Sequence, residues 1–284
     1  PTCLPKHQRR QETAVLPLRK GESADGETQY DMLKRLALPR AWHATLKKYA
    51  EGKGLVFLST PVSFDDAEFL RGLGVKAIKV GSTDMNNYPY LRRIAAWGLP
   101  IILSTGMADM KEVREAVRTI QKAGNKKLIL LHCTTNYPTP FAEANLRAIQ
   151  TLQKKFNLPV GFSDHTLGSE ASTAAVALGA CVIEKHFTLA RNLPGPDHKA
   201  SLEPAELRDF VQRIRNTEKA LGSGKKEPFL CERAIAKVAR KSIVALQDIK
   251  KGEIFTEKNL GIKRPGTGLP PKYYALVLGK RARQ

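Results

Sequence analysis

PIILSTG (residues 100–106), MKEVREAVRTIQKAG (110–124) and LILLHCTT (128–135) form the stretch that decides the fold. The first and third segments are short, apolar and closed by polar residues. The middle segment repeats its apolar side chains every three to four positions (Met110, Val113, Val117, Ile120), the spacing of a helix with one buried face. Strands this apolar are usually covered on both faces, which points to a parallel sheet wrapped in helices. Strand, helix and strand together make one βαβ unit.

The same grammar continues on both sides. GLVFLSTP (54–61), AIKVGS (77–82), PVGFSDH (159–165) and CVIEKHFT (181–188) read as further strands, and NLRAIQTLQKKF (145–156) as a further helix. EPAELRDFVQRIRNTEKALG (203–222) reads as the last helix, closed by Gly222. This predicts six βα units of a (β/α)8 TIM barrel, whose active sites lie at the C-terminal ends of the strands. A doubly wound open sheet is the alternative, but no Gly-rich phosphate fingerprint accompanies it. Ahead of the first strand, PKHQRRQETAVLPLRKGESADG (5–26) reads as an irregular loop. YDMLKRLALPRAWHATLKKYAEGKG (30–54) reads as one or two helices, with Pro39 near a helix start. The sequence begins at Pro1 rather than Met, and the expectation is that strands 3–8 are present while strands 1 and 2 lie upstream.

Beyond Gly222 the pattern changes. The predicted layout is a partial barrel over 1–222, a Gly/Lys-rich linker over 223–228 and a small β-rich module over 229–284 that can be incomplete at Gln284. The formal net charge is +20 over 284 residues. Without a nucleic-acid motif beside it, this excess reads as a solvated basic surface or a field that draws in an anionic small substrate. No apolar run is long enough to span a membrane, and no secretory signal opens the sequence. Cys3, Cys133, Cys181 and Cys231 form no CxxC pair. Cys133 and Cys181 fall in apolar strand runs, so buried free thiols in a reducing cytoplasm are expected.

The strand ends carry the chemistry. His165 and His186 end adjacent strands and form a candidate divalent-metal pair, better suited to Mn²⁺ or Mg²⁺ than to structural zinc. Asp164 and Glu184 are candidates to orient the two imidazoles. Lys79, Ser82 and Ser104 stand at neighbouring strand ends with the charge and donors that hold a phosphate or carboxylate. Tyr137 in HCTTNYPTP, Asp197 in GPDH and Arg264 in KRPGTG complete the set of candidates.

Taken together, FLSTP, KVGS, ILSTGM, HCTTNYP, GFSDHTLG, IEKHFTL, GPDHKASLEP and KRPGTG resemble the landmarks of the N-acetylneuraminate (sialic acid) synthase family, in that family's order and over roughly residues 30–284. The GPDHKAS form resembles the bacterial sialic or legionaminic acid synthases more than the pseudaminic acid synthases. The resemblance implies a barrel followed by an antifreeze-like (SAF, β-clip) domain. It implies a cytoplasmic, domain-swapped homodimer that condenses phosphoenolpyruvate with an N-acetylated hexosamine. Carried over by residue, it places a divalent metal on His165 and His186. Phosphoenolpyruvate falls to Thr60, Lys79, Ser82, Ser104 and Ser163, with Thr135 and Glu184 as further substrate contacts. The sugar falls to Tyr137 and Asp197, and its N-acetyl group to Arg264 of a second copy. Two departures stand out. The family's AEIGxNHxG glutamate and KFQ lysine do not occur here, so the chain alone is expected to be inactive. Thr135 stands where some relatives have asparagine.

Other functions remain open at this level: a legionaminic, pseudaminic or spore-coat polysaccharide synthase of the same family, a barrel aldolase or other phosphoenolpyruvate-using synthase, or a non-enzymatic basic protein that binds a polyanion.

Overall fold

The computed structural model describes residues 29–283. The loop predicted over 5–26 and the thiol of Cys3 lie outside the described residues. The chain divides between Leu221 and Gly222 into two compact units.

In the first unit, α1 (Gln29–Leu36) and α2 (Arg40–Gly52), the latter starting just after Pro39, precede a run of alternating strands and helices. These are α3 (Phe64–Gly72), β1 (Ile78–Val80), α4 (Tyr88–Ala95), β2 (Ile101–Ser104), α5 (Met110–Lys122), β3 (Leu128–Cys133), α6 (Arg147–Phe156), β4 (Val160–Asp164), α7 (Glu170–Ala177), β5 (Ile183–Lys185) and α8 (Pro204–Leu221). Helix α5 shows why its segment folds as read. Asp109 and Glu112 form a capping box at its start, and Val113, Ala116, Val117 and Ile120 are buried on one face. At the far end of the unit, Gly222 takes a positive φ of 58° just past α8, the left-handed conformation that ends many helices.

All five strands are parallel and stand in strict chain order, β1-β2-β3-β4-β5. A doubly wound sheet reverses its strand order at a switch point, whereas a barrel adds each strand beside the last. One contact shows that the sheet is rolled. Lys79 on β1 lies 3.5 Å from Glu184 on β5. Four strand spacings in a flat sheet would separate those strands by about 19 Å. The sheet is therefore a curled part of a (β/α)8 barrel. Its helix-facing side is closed by Leu70, Leu91, Ile94, Ile120, Ile149 and their neighbours.

Two sequence expectations need correction. GLVFLSTP forms no strand: residues 55–61 have no regular structure, and Leu55 and Val56 are 64% and 67% exposed. Apolar composition makes a strand only where a neighbour offers a ladder, and among the described residues none pairs with this run. Among the described residues the first unit has five strands in place of the six expected. Cys181 is exposed rather than buried, because β5 begins only at Ile183 and the side chain of Cys181 precedes it. Cys133 is buried within β3.

The second unit contains α9 (Arg233–Ala239), an antiparallel pair of β6 (Ser242–Ala245) and β7 (Leu260–Lys263), and α10 (Tyr274–Val277). Ser242 Oγ donates to the carbonyl of Pro265 at 2.6 Å, tying the loop after β7 back to β6. Among the described residues, no helix of either unit is long and apolar enough to cross a membrane.

Candidate active site

Strand pleating dictates which side chains meet inside the curl. Residues alternate between the helix side and the barrel interior. Ser163 and Glu184 stand directly opposite each other on β4 and β5, and Ser163 Oγ donates to Glu184 Oε1 at 2.6 Å. Lys79 Nζ donates to Ser104 Oγ at 2.7 Å and meets the other oxygen of Glu184. Lys79, Ser104, Glu184 and Ser163 thus form one continuous polar track across the concave face. Thr60 and Lys79 line a cleft of about 680 Å³ there, together with Phe57, Ile102, Leu131 and Glu184.

His165 and His186 follow β4 and β5 immediately, and their ring centroids are 5.3 Å apart. Tyr137 stands against both, with ring centroids 4.2 Å from His165 and 5.4 Å from His186. His165 Nδ1 lies 2.7 Å from the carbonyl oxygen of Thr134. A carbonyl only accepts, so Nδ1 carries the proton and Nε2 keeps its lone pair. That Nε2 is 3.4 Å from Ser163 Oγ. Burial holds the pKa of His165 below the usual imidazole range, which keeps the ring neutral and able to ligate. His186 Nδ1 lies 3.7 Å from Asp197 Oδ2. The Asp197 carboxylate makes no cap hydrogen bond to the short 3₁₀ turn it precedes, so it does not serve as a local turn former.

The expectation that Asp164 and Glu184 orient the imidazoles is overturned. Asp164 alternates with Ser163 and His165 and therefore points away from them, behind the sheet, where it pairs with Lys185 at 2.9 Å. Glu184 is held by Ser163 and Lys79 instead. The proton on His165 is placed by the backbone of Thr134, a group with no signal in the sequence.

A second cluster lies at the ends of β1 to β3. Gly106 N–H donates to Ser82 Oγ at 3.0 Å, and Ser82 Oγ contacts Cys133 Sγ at 3.3 Å. A Cβ on Gly106 would collide with the side-chain ends of Ser82, Cys133 and Thr135, so a larger residue there would displace them. Burial pushes the Cys133 thiol above its ordinary pKa, which keeps it protonated and inert. Sequence reasoning placed Gly106 at the strand end beside that of Ser82 but missed Cys133 as a neighbour of Ser82. Thr135 is exposed at this cluster. Burial, with a smaller contribution from Asp197, pushes the Tyr137 phenol up to about 12. Arg264 is exposed in the second unit, beside a cis bond to Pro265.

His165 and His186 are the side chains at this site that could hold a divalent ion. Among the described residues no group of three His, Cys, Asp or Glu side chains could enclose a metal. Two imidazoles alone would leave most positions of such an ion to water or substrate, unlike a closed structural zinc centre.

Comparison with known proteins places the chain in a family. A model of the NeuB family matches residues 6–226. The chain belongs to the NeuB family. An SAF domain model matches residues 240–284. Among curated relatives, this NeuB-family chain is 49% identical over 262 residues to an N,N'-diacetyllegionaminic acid synthase of Campylobacter jejuni, covering 92% of this chain and 78% of the relative. It is 39% identical over 258 residues to the human N-acetylneuraminate-9-phosphate synthase, covering 90% and 72%. Among solved structures, an N-acetylneuraminic acid synthetase of Leptospira borgpetersenii in complex with citrate superposes with a TM-score of 0.68 at 38% identity, covering 72% of each chain. The barrel, the SAF domain and the sugar-acid synthase character of the family are thereby shown.

Proposed function

We propose that this protein is a carbon–carbon bond-forming transferase of the sialic acid synthase type. It would condense phosphoenolpyruvate with N-acetylmannosamine or a related N-acyl hexosamine and release phosphate. The observation that carries this reading is the meeting of His165, His186 and Tyr137 on the same concave face as the Lys79–Ser104–Glu184–Ser163 track.

In this reading Lys79, Ser82, Ser104, Ser163 and Thr60 bind the enolpyruvate and offset its negative charge. Thr135 and Glu184 contact the substrates from the rim and floor. His165 and His186 hold a divalent ion, Mn²⁺ or Mg²⁺, which when bound supplies Lewis acidity for the acceptor's aldehyde. The Tyr137 phenol stays protonated at neutral pH and donates a hydrogen bond to the acceptor, with Asp197 accepting from a sugar hydroxyl. C3 of phosphoenolpyruvate bonds to the aldehyde carbon, water adds at C2, and phosphate leaves to give a nine-carbon 2-keto acid. Holding two carbons in contact is the main demand on the site, and rigid strand ends meet it.

The higher identity to the legionaminic acid synthases supports testing a diacetamido sugar beside N-acetylmannosamine. Arg264 belongs to the proposal as a contact from a second copy in a homodimer, which light scattering tests. Whether this chain alone turns over belongs to the proposal too, with inactivity expected because the family's AEIGxNHxG glutamate and KFQ lysine do not occur in it. The decisive experiment is phosphate release from phosphoenolpyruvate, with each acceptor, with and without Mn²⁺, in the longest form of the protein. Acceptor- and metal-dependent release is expected. Release only with a simple phosphorylated sugar would overturn the reading.

A further inference from the structure

Behind the two histidines lies a charge pair that the reaction does not touch. Asp164 and Lys185 are directly opposite each other in the register of β4 and β5. Their side chains are 0% and 4% exposed and lie 2.9 Å apart. Asp164 is saturated with donors. Thr166 gives it a backbone N–H at 2.8 Å and a hydroxyl at 2.7 Å, and Ser172 on α7 gives a hydroxyl at 2.6 Å. Lys185 Nζ also donates to the carbonyl of Thr166 at 2.5 Å.

The register gives this pair its meaning. The rung before it, Ser163 and Glu184, faces inward; the residues after it are His165 and His186. Lys185 grips both residues that flank His165, namely Asp164 and Thr166, while the residue after Lys185 is His186 itself. The backbones that carry both imidazoles are therefore fastened to one ammonium group. Burying two charges is costly, and apolar residues of similar size commonly stabilise as well or better, so a buried pair of this kind is best justified by the register it fixes.

We propose that Asp164 and Lys185 are positioning residues: a clamp behind the sheet that sets the separation and orientation of His165 and His186. This rests on the metal-holding role proposed above for those histidines. The clamp acts through backbone only and meets no substrate.

The test is Lys185→Met, which keeps the stem and removes the charge, beside Lys185→Arg and the milder Ser172→Ala, all in the full chain. Two readouts are taken on folded protein. The first, without metal, is the NMR cross-peak between the His165 and His186 rings. The second is the Mn²⁺ dissociation constant. Lys185→Met is expected to lose the cross-peak and to weaken Mn²⁺ at least tenfold, Ser172→Ala to weaken it about threefold, and Lys185→Arg to recover most of the affinity. If Lys185→Met does not fold, Ser172→Ala decides by the same two readouts. An intact cross-peak with Mn²⁺ affinity within twofold of the parent would overturn the clamp. Should the parent bind no Mn²⁺ while the cross-peak still vanishes in Lys185→Met, the clamp stands and the metal reading falls.

Discussion

At the scale of single residues, Tyr137 is the sharpest case. Its ring packs on both imidazoles, and its phenol is pushed up to about 12, chiefly by burial. It therefore remains a donor throughout the working pH range, and the basic limb of the rate profile below pH 10 must come from another group. Tyr137→Phe keeps the ring and removes the donor. A fall in kcat of about 10²-fold is expected, the low end for a positioned proton donor, with melting temperature unchanged. Steady-state kinetics beside calorimetry check this, and an unchanged kcat would remove the phenol from the chemistry. His165 and His186 could be singled out from sequence because each ends a strand-like run, whereas Tyr137 gave only a weak signal there and drew its expected role from the family resemblance. Asp164 shows the limit of suspicion by proximity. Strand alternation, which is legible in sequence, already assigns Asp164 to the face opposite His165. The carbonyl of Thr134, which decides the His165 tautomer, has no side-chain signature that any reading could find.

At the scale of elements, β3 carries a histidine with a different task. His132 alternates with the inward-facing Leu131 and Cys133. Its Nε2–H donates to the carbonyl of Ala144 at 2.8 Å, and its ring lies 5.9 Å from that of Phe162 on β4. Burial lowers its pKa below the ordinary value. The folded protein thus binds fewer protons at this site than the unfolded chain. Its contribution to stability is complete above the unfolded value of about 6.5 and is lost as pH falls through the lower folded value. His132→Gln is expected to cost about 1 kcal/mol at pH 8, the worth of one hydrogen bond, and to flatten the loss of stability below pH 6.5. Urea unfolding between pH 5 and 8 measures both, and an acid slope equal to the parent's would refute the assignment. The helices were legible because amphipathic period and caps are local properties, as in α5 with Asp109 and Glu112. GLVFLSTP was misread because pairing is not local: Leu55 and Val56 have strand composition but, among the described residues, no ladder to join.

For the whole molecule, the division between Leu221 and Gly222 follows from chemistry visible in GSGKKEP. Gly222 ends α8 in the left-handed region, Gly224 repeats it with φ 74°, and residues 221–230 are all exposed. Residues 222–228 carry no large apolar side chain to bury, so this segment adds to neither core. The basic side chains in it make a direct test possible. Lys225 pairs with Glu227 at 2.8 Å, but both are open to water, and an exposed pair of this kind adds little stability. Tryptic cleavage needs several residues of exposed backbone outside helix and sheet, which this segment presents and the strands of the curled sheet do not. Native trypsin treatment is therefore expected to cut first after Lys225 or Lys226, leaving a barrel fragment and an SAF fragment that mass spectrometry identifies. Cleavage within residues 78–185 before the linker would contradict the two-unit division. Cleavage should slow if the linker is covered in a dimer, so repeating the digest over a range of protein concentration also reads out the association proposed for Arg264.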